Sequence, residues 1–194
     1  MSPRVSAILL ASGLSNRMGG TDKLFLPYKG KTLLQHAIDL LNNEAFYEKI
    51  LITTSERLKH VDLPQQVRVI TNRNPEIGQS ESLRLGVEAA TGESYLFLNA
   101  DQPRLAPKNL RYILESAKVN TNKIIFPTVD GNPCTPVLFP AFFRSDLLNL
   151  TGDVGGRAVR DAHPEACLPL EVECPKDYHD IDSEEDWKRM LAIE

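Results

Sequence analysis

The sequence is poor in cysteine and has no long apolar run, and both shortages narrow the class of protein. Its three cysteines, Cys134, Cys167 and Cys174, are odd in number and show no CxxC spacing. Neither a disulfide framework nor a structural zinc site is therefore expected. No apolar run is long enough for a signal sequence or a membrane-spanning helix. Together these features predict a cytoplasmic protein that does not associate with membranes.

Blocks of like charge and internal repeats are missing as well. The 22 basic and 26 acidic residues give a formal net charge of -4 and are spread along the chain, which argues against a nucleic-acid partner. An anionic small ligand is still compatible, because a few well-placed cations suffice to bind one. Hydrophobic residues make up 42% and charged residues 25%, the usual globular mixture. With no linker or low-complexity tract, residues 1–194 are expected to form a single domain.

Short apolar runs alternate with segments of helical periodicity. The runs predict strands, and the periodic segments predict helices; the strands are at 5–11, 49–53, 67–71, 95–99 and 123–127, and the helices at about 33–41, 80–90 and 107–117. Thr32 is a suitable N-cap, with Gln35 completing a capping box, and Pro107 suits a first helical position. This alternation predicts an α/β fold whose mostly parallel sheet is covered on both faces, with the site at the carboxyl ends of the strands.

The pattern becomes less regular after Val129. Three prolines fall within 131–140, and helical segments are expected near 142–148 and 156–162. We interpret roughly 129–175 as the part of the domain that carries a second substrate.

The loop that follows the first strand, residues 10–23, combines small residues with two cations. Its glycines and serines allow backbone N–H groups to converge on phosphate oxygens. Arg17 and Lys23 add a forked donor and a point charge. The loop contains neither the Walker A sequence nor GxGxxG. Composition alone leaves a flexible loop with ordinary surface cations as an equal alternative.

The order of the residues in this loop resembles the N-terminal motif of the molybdenum-cofactor nucleotidyltransferases, the MobA-like family. The family pattern L-A-(A/G)-G-x-S-x-R-M-G corresponds to residues 10–19, its K followed by L-L-P to 23–27, and its G-x-x-L-L to 30–34. The resemblance implies a Rossmann-like, three-layer α/β/α nucleotidyltransferase fold. It also implies that a nucleoside triphosphate is bound by Leu10, Ala11, Ser12, Gly13, Arg17 and Lys23.

Two further segments resemble motifs of the same family. Residues 78–86 are similar to G-x-(S/T)-x-S-L-x-x-G, which implies Gly78, Ser80 and Ser82 at the nucleotide pocket. Capping of the helix that starts there explains Ser80 equally well. Asp101, followed by Gln and Pro, corresponds to the aspartate of G-D-x-P, which the resemblance makes a magnesium ligand. A cap of the following turn is the alternative for Asp101.

The region 131–157 resembles the cytidylyltransferase branch of the family. Its segments are similar to G-x-x-x-H-P-V-x-(F/L) and G-D-x-G-x-R, which implies that the acceptor is bound by Thr135, Pro136, Gly155 and Arg157. An ordinary surface position is the alternative for Arg157. Ser12 stands where the branches have Ala or Gly, a position that bears on base selection. Thr135 stands where many members have His, on the acceptor side.

Near the C-terminus, residues 178–187 resemble the family's D-I-D-T-P-E-D-L ending. Asp180 is a candidate second magnesium ligand, with stabilisation of a turn as the alternative. Asp182, with Glu185 three residues later, predicts a capping box for the final helix.

The combined resemblances predict magnesium-dependent transfer of CMP from CTP to the phosphate of molybdopterin, with Arg17, Lys23 and Asp101 as catalytic residues. Alternatives within the class use GTP or another triphosphate, or a sugar or alditol phosphate as acceptor. An alternative from another class is an accessory protein that binds the nucleotide or the finished cofactor and delivers it to a molybdenum hydroxylase apo-enzyme. Such a carrier needs neither Asp101 nor Asp180, so their presence favours the enzyme.

Overall fold

A mostly parallel sheet forms the centre of the molecule. The computed structural model describes residues 3–14 and 22–192. The strands are β1 (Val5–Ala11), β2 (Pro27–Tyr28), β3 (Lys31–Thr32), β4 (Glu48–Thr53), β5 (Val67–Thr71), β6 (Ser94–Asn99), β7 (Ile124–Val129), β8 (Asn132–Pro133), β9 (Val137–Pro140) and β10 (Cys167–Glu171). The helices are α1 (Leu33–Asn43), α2 (Ser55–Leu58), α3 (Gln79–Ala89), α4 (Pro107–Val119), α5 (Arg144–Leu148), α6 (Arg157–Ala162) and α7 (Glu184–Ala192). Within those two ranges, no helix has the length and apolar character needed to cross a membrane.

The direction of strand addition reverses at β1. The strand order is β10-β7-β9-β6-β1-β4-β5, with β8 paired to β7 and β2-β3 forming a separate ribbon. From β1 the chain passes through β4 and β5 on one side and then crosses to β6 on the other, all in parallel. Such a reversal leaves a crevice at the carboxyl ends of the strands, where open α/β sheets bind ligands. The loop after β1 and the segment after β6 therefore reach the same crevice.

Helices cover both faces of this sheet. Because successive strand residues point to opposite faces, Leu9 packs on one side with Leu34 of α1 and Leu110 of α4. Ile8 packs on the other side with Leu83 of α3. All of these side chains are buried, and each such burial stabilises the fold by about 1.5–3 kcal/mol. The predicted three-layer α/β/α arrangement is confirmed.

The chain after β7 contains strands that the sequence pattern did not predict. β9 runs antiparallel between β6 and β7, and β10 adds in parallel beside β7. All four residues of β9 are buried. A strand buried on both faces shows no period-two alternation, and the apolar run of β9 is only four residues long and ends in a proline, so it was too short to indicate a strand.

The first predicted capping box is half right. Thr32 Oγ1 accepts a hydrogen bond from the Gln35 N–H at 3.1 Å, as predicted. The Gln35 side chain does not return to Thr32; its amide donates to Asp39 Oδ1 at 3.0 Å. The Gln35 side-chain oxygen, which a capping box needs as its acceptor, instead accepts from the Asp62 N–H at 2.9 Å, so a donor from a distant segment takes the place of the Thr32 N–H.

The capping box predicted from Asp182 and Glu185 was wrong by one residue. Ser183 Oγ accepts from the Asp186 N–H at 3.2 Å, and the Asp186 carboxylate accepts from the Ser183 N–H at 2.9 Å. Serine and aspartate are equivalent candidates for such a cap, so the local sequence could not choose between neighbours. The shift leaves the Asp182 carboxylate available for a partner elsewhere in the fold.

Candidate functional site

A cleft of about 530 Å³ opens at the carboxyl ends of β1 and β6. Its walls are the loop after β1, the turn that contains Lys23, the start of α3 and the segment after β6. Eight residues predicted to bind nucleotide or metal line it: Leu10, Ala11, Ser12, Gly13, Lys23, Gly78, Ser82 and Asp101. Arg17 lies outside the described residues, so its contact with phosphate stays a prediction. The roles of the lining residues stay predictions too, but the fold brings them together.

Lys23 is the charged centre of the cleft. Its ammonium lies 2.6 Å from Asp101 Oδ2 and 2.8 Å from Asp182 Oδ1. The side chains of Lys23 and Asp101 are only 15% and 16% exposed, so solvent ions screen this pair weakly. Burial by itself would lower the pKa of Lys23, but the charges and hydrogen bonds of the two carboxylates outweigh burial and raise it. Lys23 is therefore protonated at neutral pH.

Among the residues that the structure describes, no group donates a hydrogen bond to one oxygen of Asp101. Oδ2 accepts from Lys23, whereas Oδ1 is buried and unpaired. Within the described chain neither oxygen caps the following turn, which was the alternative role for this residue. A buried unpaired carboxylate oxygen is costly unless a cation meets it, so Oδ1 suits a metal ligand. Among residues 3–14 and 22–192, no three His, Cys, Asp or Glu side chains could hold a metal together. Magnesium commonly binds one or two carboxylates and takes the rest from phosphate and water.

Asp180 joins Asp101 and Asp182 in an acidic cluster around Lys23. Asp180 keeps solvent-accessible surface, yet protein atoms crowd its carboxyl group. The resulting loss of hydration, followed by the negative charges of Asp101 and Asp182, raises its pKa to about 7. Lys23 acts in the opposite direction without cancelling the effect. The charge of Asp101 acts on Asp180, so the two predicted metal ligands are near each other and could together offer carboxylate oxygens to a divalent cation.

The raised pKa of Asp180 predicts that part of the folding stability depends on pH. An unfolded aspartate has a pKa of about 3.9, so between that pH and about 7 the folded protein holds the extra proton. This contribution is complete below about pH 4 and is lost as the pH rises towards 7. Because asparagine resembles the protonated form, Asp180→Asn should gain stability relative to the parent protein as the pH rises.

Urea midpoints measured between about pH 4 and 7.5 test this expectation across the window of the Asp180 titration. Asp62→Asn, at an exposed loop position, is the matched control and should follow the parent protein. A difference between Asp180→Asn and the parent that stays constant with pH would contradict the prediction.

Three buried polar side chains form the cleft wall below the loop after β1. Ser12 Oγ and Ser82 Oγ lie 2.5 Å apart, and Asn72 Nδ2 donates to them at 3.1 and 3.3 Å. Their relative exposures are 1%, 6% and 2%, respectively. One hydroxyl proton is used between the serines, and Asn72 supplies further donors, so the second hydroxyl proton has no acceptor within the trio. Position 12, where the family branches differ, thus presents a hydroxyl pair with a donor for a ligand in the cleft.

The start of α3 is held against residues 152–153. Ser80 Oγ donates to the Gly152 carbonyl at 2.6 Å, and the Gln79 N–H donates to Asp153 Oδ1 at 3.2 Å. Gly78 has a φ of 108°, and a Cβ there would lie 2.6 Å from Asp153 Cα, so only glycine fits this contact. Ser80 neither caps α3 nor lines the cleft. Ser80 instead anchors residues 152–153 to the start of α3. Its predicted contact with a ligand stays a prediction.

Thr135 and Pro136, predicted for the acceptor, lie beside the segment that carries Asp101. Gln102 is buried, and its amide donates to the backbone carbonyls of Thr135 and Tyr178, both at 3.2 Å. The residue after Asp101 thereby joins the predicted acceptor segment to the C-terminal segment. Thr135 and Pro136 are next to the cleft rather than in its wall, and their contact with an acceptor stays a prediction.

Gly155 and Arg157 occupy contrasting positions. The Arg157 side chain is 82% exposed and pairs with Asp161 at 3.3 Å on α6, which is the surface position that the sequence also allowed. A Cβ on Gly155 would lie 2.2 Å from Gln79 Oε1, so this glycine lets the cleft-lining Gln79 keep its place. Binding of an acceptor phosphate by Arg157 stays a prediction, and it would require the side chain to leave Asp161.

Six polar residues that line the cleft or pack against its lining were missed from the sequence: Asn72, Glu76, Gln79, Asn99, Asp153 and Asp182. A search for polar residues directly after each parallel strand could have found Asn72, which follows β5. Gln79 and Asp153 lie inside motifs that were recognised. Asp182 also lies inside a recognised motif, residues 178–187, but its spacing to Glu185 favoured a helix cap.

The comparison with protein families agrees with this geometry. The model described as the MobA-like NTP transferase domain matches residues 7–167. The chain belongs to the MobA-like NTP transferase family. The molybdenum cofactor guanylyltransferase of Histophilus somni is 31% identical over 134 residues, which cover 68% of this chain and 66% of that protein. The chain spans about half to two thirds of the length of the curated relatives that it matches.

Solved structures show the same fold. A nucleotidyl transferase from Methanothermobacter thermautotroptrophicus superposes with a TM-score of 0.79 at 24% identity, covering 98% of this chain and 99% of that one. Rv0371C of Mycobacterium tuberculosis H37Rv, in complex with manganese, gives a TM-score of 0.81 at 22% identity and covers 97% and 98% of the two chains. The Rossmann-like nucleotidyltransferase fold of this family member is therefore shown.

Proposed function

We propose that this chain is a magnesium-dependent nucleotidyltransferase that joins a nucleoside monophosphate to the phosphate of molybdopterin and releases pyrophosphate. The main support is the pairing of Asp101: its Oδ2 accepts from Lys23, whereas its buried Oδ1 has no partner among the described residues. The same cleft is lined by the loop after β1. An aspartate with an unpaired oxygen, an ammonium and a loop suited to phosphates thus line one cleft. The family match and the Histophilus somni relative support the choice of acceptor.

The proposed chemistry depends on alignment and charge stabilisation rather than on proton transfer. The acceptor phosphate is already anionic; its oxygen attacks the α-phosphorus in line, and the bond to the pyrophosphate oxygen breaks with its electron pair. The N–H groups of residues 12–14 and the Lys23 ammonium would stabilise negative charge on the phosphates. Bound magnesium, held by Asp101 and Asp180, would neutralise further phosphate charge. The nucleotide phosphates would replace a carboxylate as the partner of Lys23.

For the nucleotide we propose CTP. The resemblance of residues 131–157 to the cytidylyltransferase branch supports this choice. GTP is the second candidate, favoured by the relative from Histophilus somni, which is a guanylyltransferase. The hydroxyl pair of Ser12 and Ser82 would donate to an acceptor atom of the base, and carbonyl oxygens of this kind occur on both cytosine and guanine.

Incubation with magnesium, molybdopterin and each of the four nucleoside triphosphates tests the proposal by the pyrophosphate released. We expect release with CTP. Release with GTP alone would replace CTP by the second candidate. Release only when a sugar or alditol phosphate replaces molybdopterin would overturn the acceptor. Tight nucleotide binding without release from any mixture would favour the carrier that delivers its ligand to a molybdenum hydroxylase apo-enzyme.

A further inference from the structure

Arg57 is a buried arginine that lies outside every motif recognised in the sequence. It belongs to α2, directly after β4, and its side chain is 6% exposed. Arginine is rarely buried unless its guanidinium is fully paired, because removing the charge from water is costly. The partners of Arg57 therefore show what the side chain holds.

Among the described residues, the hydrogen-bond partners of the Arg57 guanidinium lie at the two ends of the loop after β1. Nε and Nη2 donate to the two carboxylate oxygens of Asp22 at 2.6 and 2.9 Å. Nη1 donates to the Ala11 carbonyl and Nη2 to the Gly13 carbonyl, each at 2.7 Å. Two contacts precede the intervening residues and the third follows them. One side chain thus fixes the distance between the ends of this loop.

Asp22 carries this constraint to the neighbouring lysine. Its Oδ1 also accepts from the Leu24 N–H at 3.1 Å, which caps the short turn Lys23–Phe25. Lys23 is the first residue of that turn, and its ammonium meets Asp101 in the cleft. The paired hydrogen bonds between Arg57 and Asp22 therefore set the point from which Lys23 extends.

We propose that Arg57 is a positioning residue for nucleoside triphosphate binding. It holds residues 11–13 and residue 22 at the separation at which the backbone N–H groups and Lys23 meet the triphosphate. The inference rests on the proposed function, since that function supplies the ligand. Binding to residues 11–13 and 22 that are already held in place avoids the entropy loss of ordering them around the ligand. Lysine cannot replace Arg57, because an ammonium lacks the planar fork that reaches a carboxylate and two carbonyls together.

The test compares Arg57→Met, Arg57→Lys and Asp22→Asn with a matched control, Arg144→Met. Arg144 is a half-buried arginine that donates to the Val87 carbonyl and the Tyr95 hydroxyl, away from the cleft lining. Dissociation constants for Mg–CTP and Mg–GTP are measured by equilibrium dialysis, and the fraction folded is taken from urea unfolding. For Arg57→Met, Arg57→Lys and Asp22→Asn we expect the dissociation constant to rise at least about tenfold, which is equivalent to about 1.4 kcal/mol of binding free energy. Arg144→Met should stay within about twofold of the parent protein once corrected for the folded fraction.

Steady-state kinetics separates positioning from general stability. Loss of folded protein lowers kcat at constant KM, whereas a displaced loop raises the KM for the triphosphate and leaves the KM for the acceptor unchanged. If Arg57→Met does not fold, the proposal is tested on Asp22→Asn, which retains the arginine. Unchanged triphosphate affinity in folded Asp22→Asn and Arg57→Lys overturns the proposal. If the parent protein binds triphosphate but releases no pyrophosphate, the proposed function is contradicted and the dialysis test of Arg57 is still valid. If the parent protein binds no triphosphate, the proposed function and the role of Arg57 are both overturned.

Discussion

Asp101→Asn should lower the rate of pyrophosphate release by at least about 10³-fold while the protein stays folded. Asparagine keeps the size of the side chain but loses the negative charge, and it can offer only one oxygen where the carboxylate offers two. Oδ1 of Asp101, which has no hydrogen-bond partner among the described residues, is the oxygen that we propose to bind the cation. Its loss should remove most of the metal-dependent charge stabilisation.

The measurement is pyrophosphate release as a function of magnesium concentration, with circular dichroism to verify folding. Asp39→Asn is the matched control, because Asp39 pairs with Lys31 at 2.5 Å outside the cleft lining, and it should keep the parent rate. The negative charge of Asp101 contributes to the high pKa of Asp180, so the pKa of Asp180 should fall in Asp101→Asn. A rate within about tenfold of the parent protein would reject Asp101 as a metal ligand.

Lys23→Met should lower the same rate by about 10²-fold. Two unit charges about 4 Å apart attract by roughly 4 kcal/mol at an effective dielectric constant of 20, which corresponds to about 10³-fold in rate. The net effect is smaller because Lys23 gives up a contact with one of its two carboxylate partners, Asp101 or Asp182, when it meets phosphate. Lys23→Arg should restore little, because the larger planar group must fit where the native side chain is only 15% exposed.

Single-turnover measurement at saturating triphosphate isolates the chemical contribution of Lys23 from binding. Lys31→Met is the control, since Lys31 is about half exposed and pairs with Asp39 outside the cleft lining. Lys23 lowers the pKa of Asp180, so the pKa of Asp180 should rise in Lys23→Met, opposite to the change expected for Asp101→Asn. Turnover of Lys23→Met within about threefold of the parent protein would remove Lys23 from the catalytic residues.

Much of the fold could be predicted from local sequence. The apolar run Val5–Ala11 predicted the central strand because its residues are buried on both faces of a parallel sheet. Strand and helix periodicity likewise predicted the three layers. The antiparallel β9, Val137–Pro140, could not be found in this way, since it is only four residues long and ends in a proline in a region rich in proline.

Part of the candidate site could likewise be predicted from local sequence. Order and spacing within residues 10–23 indicated a phosphate-binding loop, and the position of Asp101 directly after a strand placed a carboxylate at the same edge of the sheet. Both inferences depend only on neighbouring residues and on the rule that parallel strands end together. The sequence by itself therefore determined the class of site and its location in the fold.

Only the tertiary structure decided which side chains hold that site together. Lys23 meets Asp182 from 159 positions away, and Arg57 reaches Asp22 across 35. Asn72 joins Ser12 to Ser82 only because β5 and α3 bring all three to one end of the sheet. Such contacts depend on packing between distant segments, whereas a local pattern reports only the faces of its own helix or strand. The loop after β1 was visible in the sequence, and the arginine that holds its ends together became visible in the folded chain.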